Sequence, residues 1–146
     1  MDIIAWSANL TPEAAEQAGA TYVSKDELFS RADVLTIHLV LSERSRGLVG
    51  SAELALMKPT ALLVNTSRGP IVDESALVDA LRSQRLAGAG LDVFDVEPLP
   101  AGHPLRSLDN VVATPHIGYV AQQVYRVFYG ESATKIARWL SQGSGS

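Results

Sequence analysis

Short apolar runs alternate with amphipathic segments along almost the whole chain, and this alternation restricts the fold more than any other feature. The clearest runs, Asp33–Val40 and Ala61–Val64, are apolar with few interruptions, and helix-start signals follow most such runs. Strands that are apolar throughout and separated by helices are typical of a parallel sheet covered on both faces. The sequence therefore predicts an α/β fold with a doubly wound parallel sheet.

Local signals indicate where several helices begin and where the folded part ends. Thr11-Pro12-Glu13 reads as an N-cap, a proline at the first helical position and an acid in the first turn. Ser24 and Glu27 have capping-box spacing, and a long helix is predicted from about Val120 to Leu140. Residues 142–146 have a linker-like composition and are predicted to form a flexible tail, so the single partial domain is predicted to span residues 1–141.

Composition excludes several classes of protein. The chain has 146 residues, enough for one domain with a core, and carries a formal net charge of −4, which argues against nucleic-acid or anionic-membrane partners. It contains no cysteine, so disulfide and thiolate chemistry are excluded, and no metal site is predicted. We find no signal peptide and no apolar run long enough for a bilayer, and the sequence predicts a cytoplasmic protein.

Polar side chains follow the predicted strands where chemistry usually gathers in a parallel sheet, at the carboxyl ends. An arginine, a glutamate and a histidine stand on three separate loops of this kind. The candidates, in chain order, are Ser7, His38, the turn Thr66, Ser67 and Arg68, then Asp92 and Glu97, and finally His116 and Gly118. We expect these loops to meet at one edge of the sheet.

Each charged candidate also has a plain structural interpretation. Arg68 has the spacing to form an ion pair with Asp73, and Glu97 before a proline is compatible with a solvated charge. His116 is compatible with an ordinary loop histidine, and His103 with a surface turn residue. The functional interpretation depends on the joint pattern.

That joint pattern resembles a known family. The segments VNTSRGPIVDESAL, AGAGLDVFDVEPLP and NVVATPHIGY, in this order, resemble the cofactor-domain signatures of the D-isomer-specific 2-hydroxyacid dehydrogenases, and the resemblance extends over essentially the whole chain. It implies that Arg68 binds the substrate carboxylate and the 2-oxo oxygen, and that Glu97 is the partner of His116. It also implies an NAD or NADP cofactor and a 2-keto or 2-hydroxy acid substrate in the intact parent.

The same resemblance suggests which residues contact the cofactor. Thr66, Ser67 and Arg68, with Asp92, His116 and Gly118, would line its nicotinamide end, and Leu39 would offer apolar packing. Ser7 stands at the end of the strand where family members that prefer NAD usually carry an acid. Serine removes repulsion against a 2′-phosphate, yet no arginine follows, so the choice between NAD and NADP stays open.

The chain also departs from the family in what precedes these motifs. It contains no G-x-G-x-x-G phosphate loop and begins where the second strand of the family would begin. We therefore expect an incomplete Rossmann-type sheet lacking the first βα unit. Three outcomes follow for the gap: direct closure of the flanking strands, filling by a second copy in a homodimer, or a complementing fragment supplied in trans.

Two functional readings follow from this. The chain is a fragment of a dehydrogenase that is not expected to turn over alone, or it is a non-catalytic, self-associating folding or assembly unit with inherited active-site residues. Whether the isolated chain is an enzyme is left open by the sequence. A third reading, an unrelated Rossmann-like binder, is disfavoured by the three ordered motifs.

Overall fold

The computed structural model describes residues 1–142 and contains helices and strands in alternation. The chain divides into a first compact unit, Met1–Pro115, and a second unit that begins at His116. In chain order the elements are β1 (Ile4–Ala5), α1 (Pro12–Gln17), β2 (Thr21–Tyr22), α2 (Lys25–Arg31), β3 (Val34–Ile37), α3 (Ser51–Leu56), β4 (Leu62–Asn65), α4 (Glu74–Arg82), β5 (Gly88–Leu91), β6 (Val111–Ala113) and α5 (Gln122–Gln142), with 3₁₀ turns at Gly69–Ile71 and Pro104–Arg106.

The central feature of the first unit is a four-stranded parallel sheet in the order β3-β4-β5-β6. Its register places Ile37 beside Asn65 and Asn65 beside Leu91. The α/β class with parallel strands is thereby confirmed. Because neighbouring strands end at the same level, the loops that follow β3, β4 and β5 leave the sheet at one edge.

The strands β1 and β2 form a separate parallel pair. Within residues 1–142, β1 is not hydrogen-bonded to β3, so the direct closure considered from the sequence does not occur. Both β1 and β3 consequently keep one edge that no described strand occupies. Such edges are ready to accept a further strand.

The apolar core lies on one face of the larger sheet. Alternate residues of the strands, such as Leu35, Leu63 and Leu91, pack in one cluster with Leu54 of α3 and Leu81 of α4. Burying this face removes a large apolar area from water, which is the main stabilising contribution to such a domain.

The opposite face of the larger sheet is exposed at several strand positions. Val34, Leu62 and Val112 are 56%, 44% and 70% exposed. Because the strands carry apolar residues on both faces, the sequence pattern predicts that both faces are covered. The pattern does not reveal that the described helices α3 and α4 pack on one of them.

Several helix starts match their sequence signals, and the long helix predicted from about Val120 to Leu140 spans Gln122–Gln142. The side chain of Thr11 accepts a hydrogen bond from the Ala14 amide, and Ser24 with Glu27 forms the capping box. The helix α4 ends at Arg82, two residues before Gln84, which adopts a positive φ of 54°. A left-handed residue ends a helix.

The second unit contains α5, a helix of 21 residues in which no side chain is buried. It reaches Gln142, and the rest of the predicted flexible tail lies outside the described residues. Among residues 1–142 there is no helix with the length and apolar character needed to cross a membrane.

Candidate functional site

The turn after β4 carries Arg68, and a buried asparagine shapes it. Asn65, the last residue of β4, is 1% exposed. Its Nδ2 donates to the carbonyl oxygen of Arg68 at 2.9 Å, and its Oδ1 accepts from the amide of Ser67 at 3.0 Å. Both ends of a buried amide are therefore used to close the turn, as buried polar groups require.

The turn is also tied to the neighbouring strand end. The hydroxyl of Ser67 donates to the carbonyl oxygen of Leu39, which brings these two predicted cofactor residues into direct contact. Thr66 and Arg68 are exposed beside them, and the Nη1 of Arg68 donates to the carbonyl oxygen of Ser67 at 2.6 Å. The guanidinium therefore stands at the carboxyl edge of the sheet.

The alternative role for Arg68, an ion pair with Asp73, is not found among residues 1–142. Asp73 instead caps α4: its Oδ1 accepts from the amide of Ala76 at 3.0 Å and from the hydroxyl of Ser75 at 2.7 Å. The hydrogen bond from the Ala76 amide is the main reason why the pKa of Asp73 is lowered. The Asp73 carboxylate therefore interacts with the N-terminus of α4.

The loop that follows β5 carries Asp92 and Glu97. Asp92 is 5% exposed, its amide donates to the carbonyl oxygen of Asn65 at 3.0 Å, and the hydroxyl of Thr114 donates to its Oδ1. The exposed Glu97 accepts from the amide of Phe94 through Oε1 at 3.0 Å. Asp92 thus lies next to the Arg68 turn, while Glu97 is held against its own loop.

The Arg68 turn and the Glu97 loop are in direct backbone contact. A Cβ added to Gly69 would lie 2.1 Å from the carbonyl carbon of Phe94 and 2.6 Å from the amide nitrogen of Asp95. Real Cβ atoms do not approach so closely, so only glycine fits where the two main chains touch. This contact fixes the two loops relative to each other.

Charged groups beside this contact influence one another. Burial raises the pKa of the Asp95 carboxyl, and the nearby charge of Glu74 raises it further, whereas Arg46 acts in the opposite direction. Glu74 also pairs with His103, whose Nε2 lies 3.0 Å from Glu74 Oε1. His103 is thus a half-buried partner of α4 and the cap of the Pro104–Arg106 turn, beyond the simple surface residue expected from sequence.

The remaining predicted residues lie apart from this cluster or belong to the second unit. Ser7 follows β1 in the two-stranded sheet, and its carbonyl oxygen accepts from the Leu10 amide at 3.2 Å. His116 begins the second unit with a positive φ of 56°, and its ring packs edge-on to Tyr119 at 6.5 Å between centroids. Gly118 lies in the same turn region. The convergence of His116 with Arg68 and Glu97 stays a prediction.

Sequence reasoning missed the residues that hold the site together. In the sequence, Asn65 was noted only as part of a motif, and Gly69 only as the neighbour of Arg68, with no structural role predicted for either. A buried polar residue at the last position of an apolar strand, followed by a short polar turn, was the available signal for Asn65. No local signal indicated that Glu74 would contact a loop 21 positions away.

Comparisons with known proteins show which family the chain resembles. The profile described as "D-isomer specific 2-hydroxyacid dehydrogenase, NAD binding domain" matches residues 1–118. Glyoxylate reductase of Aeropyrum pernix is 50% identical over 116 residues, which are 80% of this chain and 35% of that protein. Glyoxylate/hydroxypyruvate reductase B of Citrobacter koseri is 50% identical over 107 residues, or 73% of this chain and 33% of that protein. The chain thus spans about a third of the length of these relatives.

Solved structures show the same similarity. A putative D-3-phosphoglycerate dehydrogenase from Ralstonia solanacearum matches with a TM-score of 0.89 and 39% identity, covering 100% of this chain and 43% of that one. A D-isomer-specific 2-hydroxyacid dehydrogenase from Lactobacillus delbrueckii ssp. bulgaricus, solved in an NAD-complexed form, matches with a TM-score of 0.82 and 29% identity, covering 97% and 47%. The chain belongs to the D-isomer-specific 2-hydroxyacid dehydrogenase family and corresponds to part of its NAD-binding domain.

Proposed function

We propose that this chain is the cofactor-side part of an oxidoreductase that interconverts 2-keto acids and 2-hydroxy acids, with Arg68, Glu97 and His116 as its catalytic residues. The observation that carries the proposal is the backbone contact of Gly69 with Phe94 and Asp95, which joins the arginine turn to the glutamate loop. A guanidinium and a carboxylate on two mutually fixed loops have the preorganisation that a reacting site needs.

Arg68 suits the recognition of a 2-keto acid. Such an acid presents a planar carboxylate next to a carbonyl. The guanidinium can bind the carboxylate oxygens and polarise the carbonyl group. The exposed guanidinium on a turn held by Asn65 is available for this contact. A lysine would supply the charge without the paired donors.

His116 and Glu97 would manage the proton. In the reducing direction an imidazole N–H of His116 donates a proton to the carbonyl oxygen as it gains negative charge, and in the oxidising direction the imidazole accepts the hydroxyl proton. A carboxylate beside the ring, in the role proposed for Glu97, favours the protonated imidazole and fixes its orientation. When bound, a nicotinamide cofactor supplies the hydride chemistry.

The residues at the carboxyl edge fit the nicotinamide end of such a cofactor. Ser67 contacts Leu39, and Asp92 is buried and hydrogen-bonded. These residues place small polar and apolar groups at the carboxyl edge of the sheet. Together with Thr66, Arg68, His116 and Gly118 they form the proposed cofactor set, with Ser7 at the adenosine end. NAD is the cofactor that the family description supports, and NADP is tested because Ser7 carries no charge. We also propose a cytoplasmic location.

Substrate class follows from the relatives. The Aeropyrum pernix reductase is named for glyoxylate, and the Citrobacter koseri reductase for glyoxylate and hydroxypyruvate. Both compounds are small 2-oxo acids, so they are the first substrates to test. The purified chain is titrated with NADH and NADPH and assayed with each acid. Saturable binding in the micromolar range supports a retained cofactor site, whereas no binding favours the non-catalytic reading.

Turnover is tested in a chimera in which this chain replaces the matched segment of the Aeropyrum pernix reductase. Arg68→Lys is expected to lower kcat/KM at least about tenfold, since the paired hydrogen bonds are lost. Arg85→Lys, at an exposed arginine of the same unit, is the matched control and should leave the rate unchanged. Equal rates for the two variants would contradict the role of Arg68.

A second candidate function is a non-catalytic, self-associating unit. The exposed apolar face at Val34, Leu62 and Val112, together with the vacant strand edges of β1 and β3, favours association with a second copy or a complementing fragment. Light scattering coupled to size exclusion tests this directly. A homodimer supports it, and a stable, folded monomer counts against it.

A further inference from the structure

Two consecutive amides of the Glu97 loop are held by two different carboxylates. The amide of Phe94 donates to Glu97 Oε1 at 3.0 Å, and the amide of Asp95 donates to Glu74 Oε2 at 3.3 Å. The peptide between Phe94 and Asp95 is also the group against which Gly69 packs. Glu74 therefore holds the loop at the point where it touches the Arg68 turn.

The other oxygen of Glu74 reaches the far end of the same loop. Glu74 Oε1 lies 3.0 Å from His103 Nε2, and His103 Nδ1 accepts from the Leu105 amide at 3.3 Å. Because Nδ1 is an acceptor, the ring proton is on Nε2, and this N–H donates a hydrogen bond to Glu74. One carboxylate thus bridges the start and the end of the loop.

The position of Glu74 makes this bridge rigid. It is the first residue of α4, where the helix dipole favours a negative charge, and its side chain is only 21% exposed. The helix itself is fixed in the core by Leu77 and Leu81, which are almost fully buried. At the far end, the Arg106 guanidinium donates to the carbonyl oxygen of Leu99 at 2.8 Å and adds a further brace.

We propose that Glu74 is a positioning residue, whose carboxylate holds the Phe94–Asp95 peptide against Gly69 and thereby sets where the Glu97 carboxylate stands relative to the Arg68 turn. The significance of this placement rests on the proposed function, but the placement itself is a property of the folded chain. Glu74 does not contact the reacting atoms; it acts through the Asp95 amide and His103.

The competing explanation is that Glu74 serves only as an acid at a helix N-terminus. The two roles differ in what they require: the helix dipole requires a charge, whereas the bridge requires acceptor oxygens. Glu74→Gln removes the charge and keeps one acceptor, and Glu74→Ala removes both. Asp79→Ala, an exposed acid on the same helix, is the matched control.

The experiment is solution NMR on the isotope-labelled full chain, without cofactor or substrate. Two signals are followed: hydrogen exchange of the Phe94 amide and the side-chain carboxyl resonance of Glu97. In Glu74→Ala we expect Phe94 exchange at least about tenfold faster relative to the Leu63 amide in the core, and a shifted Glu97 resonance. Glu74→Gln should recover a substantial part of both effects, and Asp79→Ala should show neither.

His103→Ala tests the bridge without altering Glu74, and it should move the same two signals in the same direction by a smaller amount. The proposal is overturned if both signals are unchanged in a folded Glu74→Ala chain, or if Glu74→Gln is as severe as Glu74→Ala. If Glu74→Ala does not fold, unchanged signals in His103→Ala overturn it equally. Since no readout needs turnover, failure of the proposed enzymatic function would leave this result independent.

Discussion

Replacing Asn65 by aspartate isolates the hydrogen bonds that close the Arg68 turn, because the two side chains have the same shape. In the structure, Nδ2 of Asn65 donates to the Arg68 carbonyl oxygen and Oδ1 accepts from the Ser67 amide. After Asn65→Asp, an ionised carboxylate would face a carbonyl oxygen at 2.9 Å with no proton between them. Only the protonated acid can donate there.

The magnitude follows from linkage. Burial and the facing carbonyl raise the pKa of the introduced carboxyl in the folded state above its unfolded value of about 3.9. The folded state then binds more protons than the unfolded state, so the free energy of unfolding falls as pH rises, by about 1.4 kcal/mol per pH unit up to the folded pKa. The loss attributable to ionisation is at most about 1.5 kcal/mol at pH 5 and about 4 kcal/mol at pH 7.

Urea unfolding followed by circular dichroism at several pH values between about 5 and 8 measures this slope. Asn9→Asp makes the same chemical change at an exposed asparagine and is the control. Asn65→Asp is expected to lose stability with rising pH relative to that control and to be least impaired at the acid end. Parallel pH profiles for the two variants would refute the inference that the Asn65 donor holds the turn.

Two further changes test other parts of the same unit. Asp73→Ala should cost about 1 kcal/mol of unfolding free energy at neutral pH through loss of the α4 cap. Because hydrogen bonding lowers the pKa of Asp73, this contribution is present above the unfolded pKa and disappears as pH falls through the folded pKa. Urea unfolding that shows equal costs at about pH 7 and pH 3 would contradict it. Gly69→Ala should lower the thermal midpoint and cost about 1–3 kcal/mol or more of unfolding free energy, because the new Cβ meets the backbone at Phe94. Gly102→Ala is the control and should leave the midpoint nearly unchanged, because a Cβ there meets nothing within 4 Å. Equal midpoints for the two variants would speak against the backbone contact.

The elements that sequence predicted well are those set by local chemistry. The caps at Thr11 and Ser24 and the apolar runs of β3 and β4 depend on residues within a few positions of one another. The loop positions of Arg68 and Glu97 followed from where β4 and β5 end, and these positions were predictable for the same reason.

The features that sequence could not supply depend on contacts distant in the chain. The approach of Gly69 to Phe94 joins positions 25 residues apart, and its geometry is visible only once both loops are placed. The bare face around Val34 and Leu62 was also unpredictable, since an apolar pattern states that a surface should be covered and not what covers it. Asn65 lies between these cases: its motif was evident, but the partners of a buried amide are set by the folded turn.

The touching main chains at Gly69 have a mechanical consequence. With no side chain between them to tilt or repack, the two loops have no independent hinge at this point, so a displacement of one is passed to the other as a whole. Under the proposed function, Arg68 binds the substrate acid and Glu97 orients the imidazole of His116. These two residues would then move as one rigid part. Adaptation to acids of different size would then have to come from side chains elsewhere, leaving the spacing of the reacting groups constant.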